Sequence, residues 1–160
     1  DLGKLVQEVL AGLKIRFAER KLNLAVKVQP GLSQIDVDPK LIAQVYQNLL
    51  TNAIKYTADG GRIRVKIEKV EAEVISEISD DGYGIPAGEQ HRVFDKFYRG
   101  SNIMKLETDG TGVGMYLARS IVESSRGRIW FKSKEGKGTT FWFSLPVAGT
   151  PAKEGEVSLS

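Results

Sequence analysis

The chain has 160 residues, with 23 Lys+Arg against 20 Asp+Glu and a formal net charge of +3. At 41% hydrophobic and 27% charged residues it holds enough apolar material for one core, which excludes wholesale disorder and fits a single domain. The absence of cysteine and the single histidine exclude disulfides, thiolate nucleophiles, Cys-based metal centres and paired-His catalysis, and no apolar run reaches the roughly 18 residues of a membrane span. Basic residues are interleaved with acidic ones, so Lys132, Lys134 and Lys137 read as a solvated turn and no nucleic-acid partner is expected. The first residue is Asp, and the chain is expected to be an excised fragment or a processed product.

Leu2, Leu5, Val6, Val9, Leu10 and Leu13 recur at steps of three and four and predict an amphipathic helix. Leu22, Leu24, Val26 and Val28 alternate, predicting a strand with one buried face that Pro30-Gly31 ends. Ile35 and Val37 suggest a short extended piece. Asp38-Pro39 opens a second helix, with Asp as N-cap and Pro in the first turn; it should run to about Tyr56, before Asp59-Gly60-Gly61. Ile63, Val65 and Ile67 alternate with Arg62, Arg64 and Lys66, a second strand joined through Lys69–Ala72 to a third, Val74 to Asp80. From Asp81 to Asp109 the periodicity is poor apart from the apolar-aromatic piece Val93–Tyr98, and long loops in compact domains are usually functional. A third helix is expected from Gly112 or Val113 to Ser125, with Val113, Leu117, Ile121 and Val122 on one face and Gly127 as its cap. Ile129–Ser133 and Thr139–Leu145 form a hairpin around Glu135-Gly136-Lys137-Gly138. Residues 150–160 read as a disordered tail or linker after a domain spanning 1–149. This order predicts an α+β fold, a two-layer α/β sandwich with three main helices on one face of a five-stranded mixed sheet.

Four constellations carry chemistry. Gln44, Asn48, Asn52 and Lys55 fall in one stripe of the second helix. Such a stripe can be a polar outer face, or a row of hard amide oxygens beside a cation, suited to Mg²⁺ and phosphate. Asp80-Asp81-Gly82-Tyr83-Gly84-Ile85-Pro86 stands at a strand end. It is either a Gly-rich turn or a place where the backbone approaches a flat ring while a carboxylate accepts from an exocyclic amine, which favours adenine over guanine. Gly110-Thr111-Gly112-Val113-Gly114 opens a helix, where free N–H groups attract phosphate, but it lacks the Lys-Ser/Thr ending of a P-loop. In Phe94-Asp95-Lys96-Phe97-Tyr98-Arg99-Gly100 the Phe side chains are expected to anchor the loop, while Arg99 can reach a phosphate.

Asn48-x3-Asn52-Ala53-Ile54-Lys55-Tyr56, Asp80-x-Gly82-x-Gly84-Ile85, Phe94-x2-Phe97-Tyr98-Arg99, Gly110-Thr111-Gly112-Val113-Gly114 and Gly136-Lys137-Gly138-Thr139-Thr140-Phe141 follow one another in this order. Together they resemble the N, G1, F, G2 and G3 boxes of the catalytic ATP-binding domain of sensor histidine kinases, over about Asp1 to Pro146. The resemblance implies the Bergerat two-layer sandwich, with ATP and Mg²⁺ as cofactors. Asn52 would be the main Mg²⁺ ligand and Asn48 would sit at the metal–phosphate edge. Lys55 would contact phosphate and Tyr56 would pack by the nucleotide. Asp80 would bind the adenine amine in a pocket shaped by Gly82, Gly84 and Ile85. Tyr98 and Arg99 would line the phosphate side. Gly110, Thr111, Gly112, Val113, Gly114 and Met115 would contact the phosphates and close a lid formed by residues 87–109. Thr140 would help hold the adenine.

The implied reaction is transfer of the γ-phosphoryl group to a histidine on a dimerisation domain of the same kinase, with a response regulator served indirectly. The domain would sit in the cytoplasm, outside the membrane, even where its parent is membrane-anchored. Gyrase-type and chaperone ATPases share the fold but carry a Glu general base where this chain has Asn48, whose amide takes no proton. The small serine kinases of anti-sigma type compete as well, and so does a nucleotide-binding module without transfer activity. His91, in the loop after Ile85-Pro86, reads as a solvent-exposed side chain, and the chain alone is expected to bind ATP without stable autophosphorylation.

Overall fold

A computed structural model describes residues 1–32, 34–96 and 114–147; the expected tail, 150–160, lies outside them. Helix α1 spans Leu2–Glu19, with the Asp1 carboxylate accepting the Lys4 N–H (3.1 Å) as N-cap. Its stripe Leu2, Val6, Leu10, Leu13 and Phe17 is buried. The helix closes on Lys21, at φ 54, with the Lys21 and Leu22 N–H groups donating to the Ala18 and Phe17 carbonyls. Helix α2 spans Pro39–Lys55, and Asp38 accepts the Lys40 N–H (2.9 Å), the N-cap read from Asp38-Pro39. Its far end is closed by Arg20, whose guanidinium donates to the Ile54 and Thr57 carbonyls and pairs with Asp59. A cation there complements the negative end of the helix dipole.

Five strands form one mixed sheet in the order β1-β2-β3-β5-β4. β1 (Asn23–Val28) runs parallel to β2 (Arg62–Val70), while β2 with β3 (Glu73–Asp80), β3 with β5 (Gly138–Pro146) and β5 with β4 (Arg128–Lys134) pair antiparallel. Alternation decides which side is covered. Ile63, Val65 and Ile67 share a face with Val74, Ser76 and Ile78, and with Phe141, Phe143 and Leu145, and all nine are buried. α2 lies between α1 and α3 (Gly114–Ser124), and the three helices share one apolar core with that face. The opposite face carries Trp130 stacked on Trp142, ring centroids 6.0 Å apart. The α+β architecture expected from the sequence is the one found.

Four local expectations are corrected. Leu24 is exposed because β1 is an edge strand. Ile35 and Val37, outside any strand, pack against the core ahead of α2. Residues Ala87–Arg92 form a short 3₁₀ helix inside the segment expected to be irregular. On α3 the buried stripe is Met115, Ala118 and Val122, so Leu117, expected inside, points outward. The small Ala118 hid the true phase. The α3 cap also shifts by one residue. Arg126 holds the left-handed conformation (φ 67), while Gly127 is needed because a Cβ there would lie 1.9 Å from the Ser144 carbonyl oxygen.

Candidate functional site

Asp80 ends β3 on the helix-covered face, in phase with Val74, Ser76 and Ile78. One carboxylate oxygen, Oδ1, accepts the N–H groups of Gly82 (2.9 Å) and Thr139 (3.3 Å); Oδ2 takes no hydrogen bond among the described residues. Burial pushes the Asp80 carboxyl up to about 6, against the pull of those two N–H groups and helped by the neighbouring Asp81 charge. The result is a desolvated acceptor with one side open to a donor. Asp81 turns away and accepts the Arg62 N–H (2.8 Å).

Beside Asp80 the loop is fastened to two elements. The Tyr83 N–H donates to the Tyr56 carbonyl at the end of α2 (2.9 Å), and the Gly136 N–H donates to the Tyr83 carbonyl (2.7 Å). A Cβ on Gly82 would lie 2.1 Å from the Tyr56 oxygen, and one on Gly84 (φ +71) 2.1 Å from the Lys134 oxygen. Both glycines thus make room for protein backbone at their Cβ positions. They shape the site by letting the loop dock.

α2 meets this loop at its C-terminal end, through the Tyr56 carbonyl. Asn48 is engaged at both ends: its Nδ2 donates to the Gly114 carbonyl (3.0 Å) and its Oδ1 accepts from Gln44 Nε2 (2.7 Å). It therefore ties α2 to the first residue of α3. Asn52, one turn on and half-buried, makes no side-chain hydrogen bond among the described residues, and Lys55 makes no ion pair among them. No group of three His, Cys, Asp or Glu side chains that could hold a metal gathers among the described residues. The donors on offer are amide oxygens. A hard, neutral oxygen such as that of Asn52 fits Mg²⁺, which keeps waters and binds phosphate oxygens with few protein ligands.

Ile85 packs against the core and donates its N–H to Ser133 Oγ (2.8 Å). Gln90, on the 3₁₀ helix, donates from Nε2 to the carbonyls of Ile85 (3.1 Å) and Ser133 (2.9 Å). Val93 is buried, and Phe94 meets Phe131 and Phe141 edge-on (5.8 and 6.3 Å), so Phe94 anchors its segment as expected. Phe97, Tyr98, Arg99, Gly110, Thr111, Gly112 and Val113 lie outside the described residues. Met115 is in the core, which leaves only its backbone for any contact with phosphate.

Thr140 is not beside Asp80. It points to the opposite face of the sheet, where its hydroxyl bonds Ser79 (2.8 Å). Thr139 is the residue on Asp80's side, directly across the strands from it, with Ser133 next in the row. The alternation Thr139, Phe141, Phe143, Leu145 carries this signal, and counting by two from the buried Phe side chains finds it. Ser133, Gln90 and Arg20 lie outside the recognised motifs, and only the fold brings them in.

A family model described as histidine kinase-, DNA gyrase B- and HSP90-like ATPase matches residues 37–149. The chain belongs to this family. Among its relatives, the adaptive-response sensory kinase SasA of Synechococcus sp. (strain JA-3-3Ab) is 41% identical over 148 residues, 92% of this chain and 39% of that protein. The sensor histidine kinase WalK of Bacillus subtilis is 40% identical over 114 residues, 70% of this chain and 19% of that protein. Among solved structures, the catalytic domain of histidine kinase ThkA superposes with a TM-score of 0.80 at 26% identity, covering 92% of this chain and 93% of that one. Full-length ShkA in complex with AMPPNP gives 0.79 at 25% identity, covering 96% of this chain and 31% of that one. This family member is an ATP-binding catalytic domain of the sensor histidine kinase type. It spans about two fifths of the length of the SasA relatives it matches.

Proposed function

We propose that the chain binds ATP with Mg²⁺ and presents the γ-phosphate to a histidine on a dimerisation domain of its parent kinase. The observation that carries this reading is the open side of the buried Asp80 carboxylate, on a loop fastened to the end of α2, the helix that carries Asn48, Asn52 and Lys55. Asp80 accepts the adenine amine through Oδ2. Thr139 replaces Thr140 as the hydroxyl on that side. Asn52 is the main Mg²⁺ ligand and Lys55 meets phosphate as a point charge. Bound Mg²⁺ would supply charge neutralisation to the phosphates during transfer. Asn48 holds the edge of the site by its bond to Gly114, and an amide there cannot act as the general base that hydrolysis needs.

Transfer proceeds in line: an imidazole nitrogen of the acceptor bonds to the γ-phosphorus as the bond to the bridging oxygen breaks, and ADP departs with that electron pair. The phosphorylated histidine then serves a response regulator. The domain works in the cytoplasm, where ATP is at hand. No helix among the described residues is long and apolar enough to cross a membrane.

Calorimetric titration with ATP and GTP, with and without Mg²⁺, tests the binding step. ATP uptake strengthened by Mg²⁺ is expected. Transfer is tested by adding labelled ATP and the dimerisation domain of a related kinase. Asn52→Ala should keep the fold and lose at least tenfold in Mg²⁺-dependent affinity, with transfer abolished. Wild-type transfer by this variant would refute the role given to Asn52.

A further inference from the structure

Ser133 Oγ stands where three polar groups meet. The Ile85 N–H lies 2.8 Å away, the Gly138 carbonyl 3.1 Å and the Thr139 hydroxyl 2.8 Å. A proton count fixes how they connect. The Ile85 amide can only donate and the Gly138 carbonyl can only accept, so the serine proton goes to Gly138. One lone pair of Ser133 takes the Ile85 N–H, and the other is left for the proton of Thr139. Thr139 is then left with lone pairs alone. Its cross-strand neighbour Asp80 is likewise an acceptor when ionised. Gln90 holds this arrangement from outside, through the carbonyls of both Ile85 and Ser133.

We propose that Ser133 is a specificity-determining positioning residue: by taking the Thr139 proton it makes the corner of Thr139 and Asp80 all-acceptor, which admits a purine bearing an amine and rejects one bearing an oxo group. The inference rests on the ATP-binding reading above and deepens it. An exocyclic amine has two hydrogens and can serve both acceptors, whereas a 6-oxo group sets a lone pair against each. With Ser133 removed, the Thr139 hydroxyl is free to turn and donate, and the oxo purine is no longer penalised at that position.

The test compares affinities for ATP and inosine triphosphate in Mg²⁺ buffer by calorimetry, using the same 160-residue chain and its variants. The wild type should prefer ATP. In Ser133→Ala the preference should fall at least fivefold, and Ser133→Thr, which keeps the hydroxyl, should restore it. Thr139→Val, which deletes the hydroxyl outright, should also lower the preference at least fivefold, and it serves should Ser133→Ala not fold. An unchanged ratio in either folded variant overturns the proposal. A wild type that takes up neither nucleotide at millimolar concentration overturns the ATP-binding reading itself.

Discussion

Two polar clusters sit on the same covered face of the sheet, four residues apart along β3, and they are built differently. At Ser76 the hydroxyl meets that of Tyr46 at 2.6 Å, both residues are fully buried, and each group completes the other. At Asp80 one oxygen is held by two backbone N–H groups while the other stays open. Burial raises both titrating groups, the Tyr46 phenol and the Asp80 carboxyl. Only the second leaves an acceptor in want of a donor. A closed pair stabilises the fold; an open carboxylate is held at a cost in stability and is suited to a ligand.

Neutralising Asp80 should have the largest effect. Its carboxyl titrates near 6 in the folded chain against an ordinary value of 3.8, so the folded state binds the extra proton. Stability from this group is therefore full below about pH 4 and is lost as pH rises through 6, a difference of up to about 3 kcal/mol. Asp80→Asn keeps an oxygen for the Gly82 and Thr139 N–H groups and escapes that loss. Thermal melts should show the variant more stable than wild type at pH 7, with the gap closing towards pH 4. Its ATP affinity should fall at least tenfold, because its amide can turn a donor towards the amine. Equal melting temperatures across that range would refute the buried, ionised carboxylate.

The pH dependence of wild-type affinity sharpens the same point. Below about pH 6 Asp80 carries a proton and loses acceptor capacity, so ATP affinity should weaken as pH drops from 7 to 5. The same titration on Asp80→Asn should be flatter. Matching pH profiles for the two chains would assign the effect to another group.

The closed cluster should respond in stability alone. Tyr46→Phe leaves the Ser76 hydroxyl buried without its partner, at about 1–3 kcal/mol, while Tyr46→Phe with Ser76→Ala should recover part of that loss. Denaturant midpoints measure both. ATP affinity should stay within twofold for each variant, and a large drop would mean that the two clusters are coupled.

Long periodic elements were legible before the fold: α1, α2, the β2–β3 and β4–β5 hairpins and the Asp38 cap all follow from spacing and turn chemistry. The candidate site proposed here was suggested by Asn52 and Asp80, whose residue types are unusual in a helix interior and at a buried strand end. What escaped depends on contacts between distant segments. Thr140 was named for the side of Asp80 that Thr139 occupies, because a motif gives composition, whereas only register gives the face. Gly82 and Gly84 were read as letting the backbone approach a ring and shape a pocket; that their Cβ positions are filled by atoms of Tyr56 and Lys134, 26 and 50 residues away in sequence, no local pattern shows. Arg20 closes α2 from across a 34-residue separation, which no local pattern shows.

The smallest expected effect lies at the α3–β4 corner, away from the open carboxylate. Arg126 occupies a left-handed conformation (φ 67) that disfavours a Cβ, and it does so to let the Gly127 N–H reach the Val122 carbonyl (2.9 Å) and its own N–H reach that of Glu123 (3.0 Å). Arg126→Gly removes the clash and keeps both bonds, although the more flexible unfolded chain returns part of the gain. A net stabilisation of roughly 0.5–1 kcal/mol is expected, read as a rise in denaturant midpoint at constant slope. Gly127→Ala makes the opposite case, because its Cβ would strike the Ser144 carbonyl, and it should destabilise by more than the first change stabilises. Neither variant touches Asp80, Thr139 or the α2 amides, so the ratio of ATP to inosine triphosphate affinity should hold in both, which separates strain at this corner from selection at the other.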